Sequence, residues 1–404
     1  MLNFSFDSTQ TLFIAVILLV LGGKILKKVS VFRKWCLPSA VVGGLLFAII
    51  ALILKQTGTL EFKFDTSLQQ FFMNLFFTAS GLGASLSLLK NGGKKIVIFL
   101  VLAAVLAFLQ NVLAVGLAGA LNVKPMIALM TGSIPMTGGH GNAASFAPIA
   151  EGWGYTGALS VAVAAATFGL VSGSILGGPV ANQLINKYDL FNKELAKNKS
   201  VEELAVAEDI KSKTHVFSAK AITFAFNSIF IGLGIGSVLF VVFKAILPNV
   251  TLPIHVMGMM GGVIVRLFLD KKKISVPEEE IDALGNVCLG VFVSMAVFTM
   301  KLWELAELAL PLIILLFAQV VLMYIFARYI TFNLMGKDYD AAMMSAGHIG
   351  FGLGAVPVSM ANMNAVSEKY IYSKVAFFIV PLIGGLFSNF TNAAIITFFM
   401  NLVR

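Results

Sequence analysis

Ten stretches of the chain are long and apolar enough to cross a lipid bilayer as helices: 9–28, 36–54, 68–89, 96–121, 155–186, 219–247, 252–269, 283–307, 309–335 and 371–402. A helical crossing takes about 20 residues, and within the hydrocarbon every backbone N–H and C=O must find its partner inside the protein. These conditions dictate an all-α polytopic membrane protein embedded in a lipid bilayer, with no sizeable soluble domain left over. The formal net charge of +9 would suit nucleic acid if it were gathered on one polar module. The basic residues are instead scattered between apolar segments, so they read as topology signals and no nucleic-acid partner is expected. The run Thr11 to Leu21 has little positive charge before it and Gly-Gly-Lys after it, which marks a permanent span and not a removable leader. Cys36 and Cys288 lie far apart, without metal-type spacing.

Two more stretches, 126–150 and 341–365, are apolar but interrupted by Gly, Ser, Thr, His and Asn, and read as re-entrant hairpins. The halves repeat at a constant offset: Pro38 and Pro253, Gly132 and Gly347, Gly139 and Gly354, Tyr155 and Tyr370, Gly169 and Gly384 are all 215 positions apart. The segment order repeats with them, as four spans, one Gly-rich hairpin and one span. An odd number of crossings per repeat inverts the second repeat relative to the first. The division is therefore 1–186 for the first repeat, 187–218 for a cytoplasmic linker and 219–404 for the second repeat. With the basic linker inside, all of the 29 Lys and Arg residues except Lys55, Lys63, Lys124, Lys244, Lys301 and Arg404 fall on the cytoplasmic side. Both termini then face outward, and the hairpins enter from opposite sides with tips that meet near the midplane.

The first hairpin reads Thr131-Gly-Ser-Ile-Pro-Met-Thr-Gly-Gly-His-Gly-Asn142. Its glycines permit a sharp turn that leaves peptide groups without intrahelical partners. A helix restarting there aims free N–H groups at an anion, while carbonyls at the opposing helix end suit a sodium ion helped by Ser133, Thr137 or Asn142. Close helix packing is the competing reading of the same glycines. The second hairpin reads Ala346-Gly-His-Ile-Gly-Phe-Gly-Leu-Gly-Ala-Val-Pro357, followed by Asn362, a further candidate sodium ligand, and Asn364. Glycine at every second position from Gly350 to Gly354 predicts an unwound segment. Neither His140 nor His348 has a ligand partner at metal spacing, and each reads either as a hydrogen-bonding structural residue or as a substrate or proton contact. No nucleophile motif accompanies them, so the chain is not expected to be an enzyme. Without a strand or Gly-Lys-Ser/Thr, a nucleotide loop is excluded. Lys301, Glu304 and Glu307 around Trp303 read as a rim ion pair or as substrate steering. Asn389, Asn392, Asn227 and Ser228 are weaker polar candidates. The four arginines, Arg33, Arg266, Arg328 and Arg404, all lie near span ends. A carboxylate substrate must then rely on N–H groups, hydroxyls, amides and a co-bound cation.

The motifs Thr137-Gly-Gly-His-Gly141, Ala346-Gly-His-Ile-Gly-Phe-Gly-Leu-Gly-Ala355, Lys301-Leu-Trp-Glu-Leu305 with Leu308-Ala-Leu-Pro311, Ala165-Ala-Thr-Phe-Gly-Leu170 with Gly177-Gly-Pro-Val180, and Met335-Gly-Lys-Asp-Tyr-Asp-Ala-Ala342 together resemble the bacterial sodium/glutamate symporter family, end to end. The resemblance implies an inner-membrane, homodimeric secondary transporter that imports L-glutamate with sodium and needs no other cofactor. It also implies an elevator motion in which a hairpin-bearing core slides against a static scaffold. By the same resemblance the site comprises Ser133, Thr137, Gly138, Gly139, His140 and Gly141 in the first hairpin, and Gly347, His348, Gly350, Gly352, Gly354 and Pro357 in the second. Asn142 and Val356 stand where that family pattern has threonine, which bears on ion or substrate preference. The rivals are a sodium-coupled citrate, dicarboxylate or other amino-acid carrier of similar fold, and, more distantly, a channel.

Overall fold

The computed structural model describes residues 2–83, 93–197, 217–246, 253–303 and 309–404. The chain is mostly helical, and among the described residues eight helices are long and apolar enough to cross a membrane. These are α1 (Ser8–Lys28), α2 (Ser39–Gln56), α4 (Gly93–Ala118), α7 (Ala158–Tyr188), α8 (Ala219–Ile246), α10 (Glu278–Phe298), α11 (Leu310–Leu334) and α14 (Lys374–Leu402). The other two segments read as spans form α3 (Ser67–Gly83) and α9 (Ile254–Lys271), which carries Arg266, Asp270 and Lys271 in its last turns. Between the long helices lie α5 (Pro125–Leu129), α6 (Gly139–Gly152), α12 (Tyr339–Gly352) and α13 (Val356–Lys369).

Local chemistry sets the helix starts. Asp7 caps α1 reciprocally, its carboxylate accepting from Gln10 N at 2.8 Å while Gln10 Oε1 accepts from Asp7 N at 3.1 Å. α2 and α9 begin after Pro38 and Pro253, which have φ −66° and ψ 143° in one case and φ −66° and ψ 139° in the other. Both ends of these two helices, Ser39 and Gln56, Ile254 and Lys271, are 215 positions apart, so the offset seen in sequence also governs element boundaries.

One set of helices packs α1 on α2, α8 on α9, α9 along α3, and α10 along α2 and α3. Small residues permit the closest crossings: a Cβ on Gly43 would strike the Leu18 carbonyl, and one on Gly261 the Gly232 carbonyl. The remaining elements enclose two helix breaks, with α7 packing against α6, α12 and α13, α4 against the last half of α14, and α11 against α7. One apolar cluster surrounds the first break through Met126, Ile134 and Phe146. A second surrounds the other through Phe99, Phe351 and Ile379.

Three features depart from the sequence expectation. The ends carry a small parallel ribbon, β1 (Leu2–Phe6) beside β2 (Leu60–Phe64), in a chain read as all-α. Phe6 stacks on Phe64 at 5.2 Å, and Phe64 meets Phe298 edge-on at 4.9 Å. This ribbon is five residues per strand and joins segments far apart in sequence, so no local period announced it. Second, α12 runs unbroken through Gly350 and Gly352, and only Leu353–Ala355 is unwound. Those glycines serve close contact: a Cβ on Gly350 would overlap the Ser359 backbone, and one on Gly352 would lie 2.8 Å from Leu106 and Met323. Burial of the whole helix outweighs the roughly 1 kcal/mol that glycine costs in a helix interior. Third, α14 contains Pro381 followed by a π-helical turn at Ile383–Phe387, and α11 has another at Phe326–Thr331. Proline removes an N–H, and the wide turn absorbs the resulting mismatch.

Several of the basic residues placed outside by the charge bias meet the same few neighbours. Lys124 lies over Tyr155, whose hydroxyl donates to the Arg404 carbonyl at 3.2 Å, and Ser160 Oγ donates to the Lys301 carbonyl at 3.1 Å. Lys55 pairs with Glu61 at 2.6 Å and stands 3.9 Å over the Trp303 ring. Its hydrogen bond and charge hold the Glu61 carboxyl below the usual carboxylate range. Glu304 and Glu307 lie outside the described residues, as do 198–216 of the linker, whose described part includes a helix at Leu190–Lys197.

Among the described residues, Arg266 is the buried basic side chain. It donates to Asp270 at 2.9 Å, Glu278 at 2.7 Å and the Leu82 carbonyl at 3.2 Å, tying α9 to α3 and α10. Both carboxylates are partly exposed, which tempers their electrostatic worth. Arg266→Met is expected to lower stability by about 1–3 kcal/mol, read as a drop in the thermal midpoint in detergent. An unchanged midpoint would show that the tie is dispensable.

Candidate functional site

A cavity of about 870 Å³ opens between the α2, α3, α10 group and the two breaks, a size suited to a small organic molecule. The first break is the irregular stretch 130–138 between α5 and α6. It brings Thr137, Gly138, Gly139, His140, Gly141 and Asn142 to the cavity wall. The second break brings Gly354, Ala355, Val356 and Pro357, and the wide turn of α14 adds Gly384, Gly385 and Asn389.

The breaks touch. Gly139 has φ +60°, which glycine adopts without strain, and a Cβ there would lie 2.8 Å from the Gly354 carbonyl oxygen. These are the two glycines related by the 215-residue offset. Among the described residues, the N–H groups of His140, Gly141, Gly354 and Val356 have no hydrogen-bond acceptor. Two helix starts therefore present unpaired donors and positive dipole ends toward one space.

His140 Nε2 lies 3.0 Å from Thr167 Oγ1. The Thr167 hydroxyl spends its one hydrogen on the Val163 carbonyl at 2.9 Å, so the imidazole donates from Nε2 and keeps Nδ1 as its acceptor. Asn142 is buried against Gly138, and its Nδ2 has no partner. Thr137 Oγ1 donates to Gln110 Oε1 at 2.7 Å.

Six residues expected at the site stand behind the lining. Ser133 is held by its backbone, with Asn111 Oδ1 accepting from its N–H at 2.7 Å and Asn392 Nδ2 donating to its carbonyl at 3.1 Å, while its hydroxyl is buried without a partner. His348 is boxed by Phe99, Phe326 and Phe351 and shares a 2.9 Å hydrogen bond with Thr331. Gly347 accepts from Ser359 Oγ, and Gly352 from Gln110 Nε2, both through their carbonyls. Gly350 faces the Ser359 backbone, and Asn362 Nδ2 donates to the Gly173 carbonyl at 3.0 Å. Of the four candidate sodium ligands, Thr137 and Asn142 line the cavity, whereas Ser133 and Asn362 do not. Asn227 and Asn364 are exposed.

The opposite wall supplies groups that the sequence reading did not single out: Ser39, Ser80, Asp282 and Asn286. Asp282 and Asn286 are one helical turn apart on α10, but nothing local told which face of that helix meets a cavity. Gln110 did carry a signal, since Gln110-Asn111 is the one amide pair in the otherwise apolar α4. No Lys or Arg lines the cavity among the described residues, and Asp282 is its carboxylate. An anion entering this space meets backbone donors, amides and hydroxyls, and needs a cation beside it to offset its charge.

The sequence family described as sodium/glutamate symporter matches residues 4–372. The chain is 40% identical over 397 residues to a sodium/glutamate symporter of Haemophilus influenzae, covering 98% of this chain and 97% of that one. It is 37% identical over 401 residues to that of Escherichia coli, covering 99% and 98%. Both matches span nearly the whole length of each chain, and the chain belongs to the sodium/glutamate symporter family.

Proposed function

We propose that this protein imports L-glutamate across the bacterial inner membrane, driven by sodium entering with it. The observation that carries this reading is the cavity itself. It collects unpaired N–H groups from two helix starts, holds no Lys or Arg among the described residues, and so favours a carboxylate only together with a cation. His140, with Nδ1 as acceptor, and the amides Asn142 and Asn389 are the side chains we assign to glutamate. Thr137, the break carbonyls and the unpaired Ser133 hydroxyl and Asn392 Oδ1 form the oxygen-rich surroundings assigned to sodium.

We place α3 and α9 across the membrane beside the eight long helices, giving ten spans in two inverted repeats, 1–186 and 219–404, with the breaks as re-entrant hairpins. The basic linker lies in the cytoplasm and both termini outside. Alternating access is of elevator type. In this reading α4, α7, α11, α14 and the hairpins move past the other helices. The boundary suits sliding because it is lined by Phe76, Leu170, Leu289, Val293 and Leu386 with small residues between them. The protein works as a homodimer joined through the static helices.

Uptake of labelled L-glutamate into proteoliposomes tests this. Saturable uptake is expected only with an inward sodium gradient, competed by unlabelled L-glutamate and not by citrate. Citrate competition at equal concentration would reassign the substrate, and uptake indifferent to sodium would refute the coupling.

A further inference from the structure

Gln110 lies in the second half of α4 and is completely buried. Its Oε1 accepts from Thr137 Oγ1 at 2.7 Å, its Nε2 donates to the Gly352 carbonyl at 2.7 Å, and its own carbonyl accepts from Gln319 Nε2 at 2.8 Å. Thr137 lies two positions before Gly139 in the first break. Gly352 lies two positions before Gly354 in the second, and Gly139 abuts the Gly354 carbonyl. One side chain therefore closes a ring through both tips.

Both side-chain hydrogen bonds of Gln110 in that ring are buried. In the hydrocarbon no solvent takes over a hydrogen bond that is given up, so a shift of either break strains the amide held by the other. The side chain also has to accept from one break and donate to the other while carrying no charge, which a primary amide does and neither a carboxylate nor an ammonium can. Gln319, equally buried, donates to the main-chain carbonyl of Gln110 and not to either break.

We infer that Gln110 is the positioning residue through which sodium beside Thr137 and glutamate between the N–H groups of the two breaks sense each other, setting their linkage while touching neither. This rests on the sodium and glutamate reading above and adds the route by which the two sites communicate. By reciprocity, the amide that lets sodium tighten glutamate binding lets glutamate tighten sodium binding equally.

The test is calorimetric binding of L-glutamate to the purified full-length protein at low and high sodium, with lithium-free choline as the balancing salt. In the unaltered protein, high sodium is expected to tighten glutamate about tenfold or more, within the usual span of coupling between sites. Gln110→Leu, close in size but without either hydrogen bond, is expected to keep glutamate binding and reduce that sodium effect to less than about twofold. Gln319→Leu removes an equally buried amide and is expected to keep the full effect, which separates coupling from general packing. Should Gln110→Leu fail to insert, Gln110→Glu replaces it. A protonated carboxyl there reproduces both bonds, and the partners Thr137, Gly352 and Gln319 do not titrate, so coupling is expected at acid pH and lost as that carboxyl ionises. A native-sized sodium effect in Gln110→Leu, or coupling in Gln110→Glu that is indifferent to pH, overturns the inference. So does an equal loss in Gln319→Leu. Absence of any sodium effect in the unaltered protein instead overturns the symport reading, and this inference with it.

Discussion

Gly139→Val is expected to reduce sodium-driven glutamate uptake to background while the protein still inserts and elutes as a folded species. The backbone at this position has φ +60°, which costs an ordinary residue roughly 1–2 kcal/mol and a β-branched one more. The added Cβ would also lie 2.8 Å from the Gly354 carbonyl oxygen, a backbone atom with no rotamer to swing aside. Either the tips part or the turn unwinds, and both outcomes scatter the N–H groups of His140 and Gly141. A loss of at least about 100-fold follows if these penalties fall on the loaded state, since each 1.4 kcal/mol is a factor of ten. Gly178→Ala is the comparison, because nothing lies within 4 Å of a Cβ there, and uptake should stay near that of the unaltered protein. Near-normal uptake by Gly139→Val would remove the tip-to-tip contact from the mechanism.

The second large effect concerns His140. His140→Ala is expected to lower uptake at limiting glutamate by about 10–100-fold, the equivalent of one or two buried hydrogen bonds to a charged ligand. Folding should survive, because alanine suits α6 and Thr167 retains its bond to Val163. Trp303→Phe provides the contrast. It removes an indole stacked under Lys55 at the rim, worth about 0.5–1 kcal/mol at an exposed site, and uptake should change less than twofold. Equal and small effects at both positions would withdraw His140 from the substrate-binding set.

Much of this molecule was readable from its order of residues. The long apolar runs became helices because lipid leaves a spanning chain no other way to satisfy its backbone. The constant offset between Pro38 and Pro253 reappeared as helices that start and stop in step. The clusters Thr137 to Asn142 and Gly354 to Pro357 were recognisable as interruptions, and both reach the cavity. Reading Gly350 to Gly354 as an unwound segment was less successful. Gly350 and Gly352 sit within a continuous helix because their missing side chains let Ser359, Leu106 and Met323 come close. The same uncertainty separates the two histidines: in equally Gly-rich surroundings, His140 lines the cavity and His348 is enclosed by phenylalanines.

What the sequence determined by itself is therefore what a bilayer and local backbone chemistry impose: helical spans, their order, their repetition and the places where helices must break. Tertiary structure alone decided which faces meet. It set Asp282 and Asn286 opposite the breaks, joined Thr137 to Gly352 through Gln110, and paired Leu2–Phe6 with Leu60–Phe64. An apolar helix carries little record of its neighbours, because lipid and protein present it with surfaces of similar polarity. The choice between them falls to shape and to a few buried hydrogen bonds between residues remote in the chain.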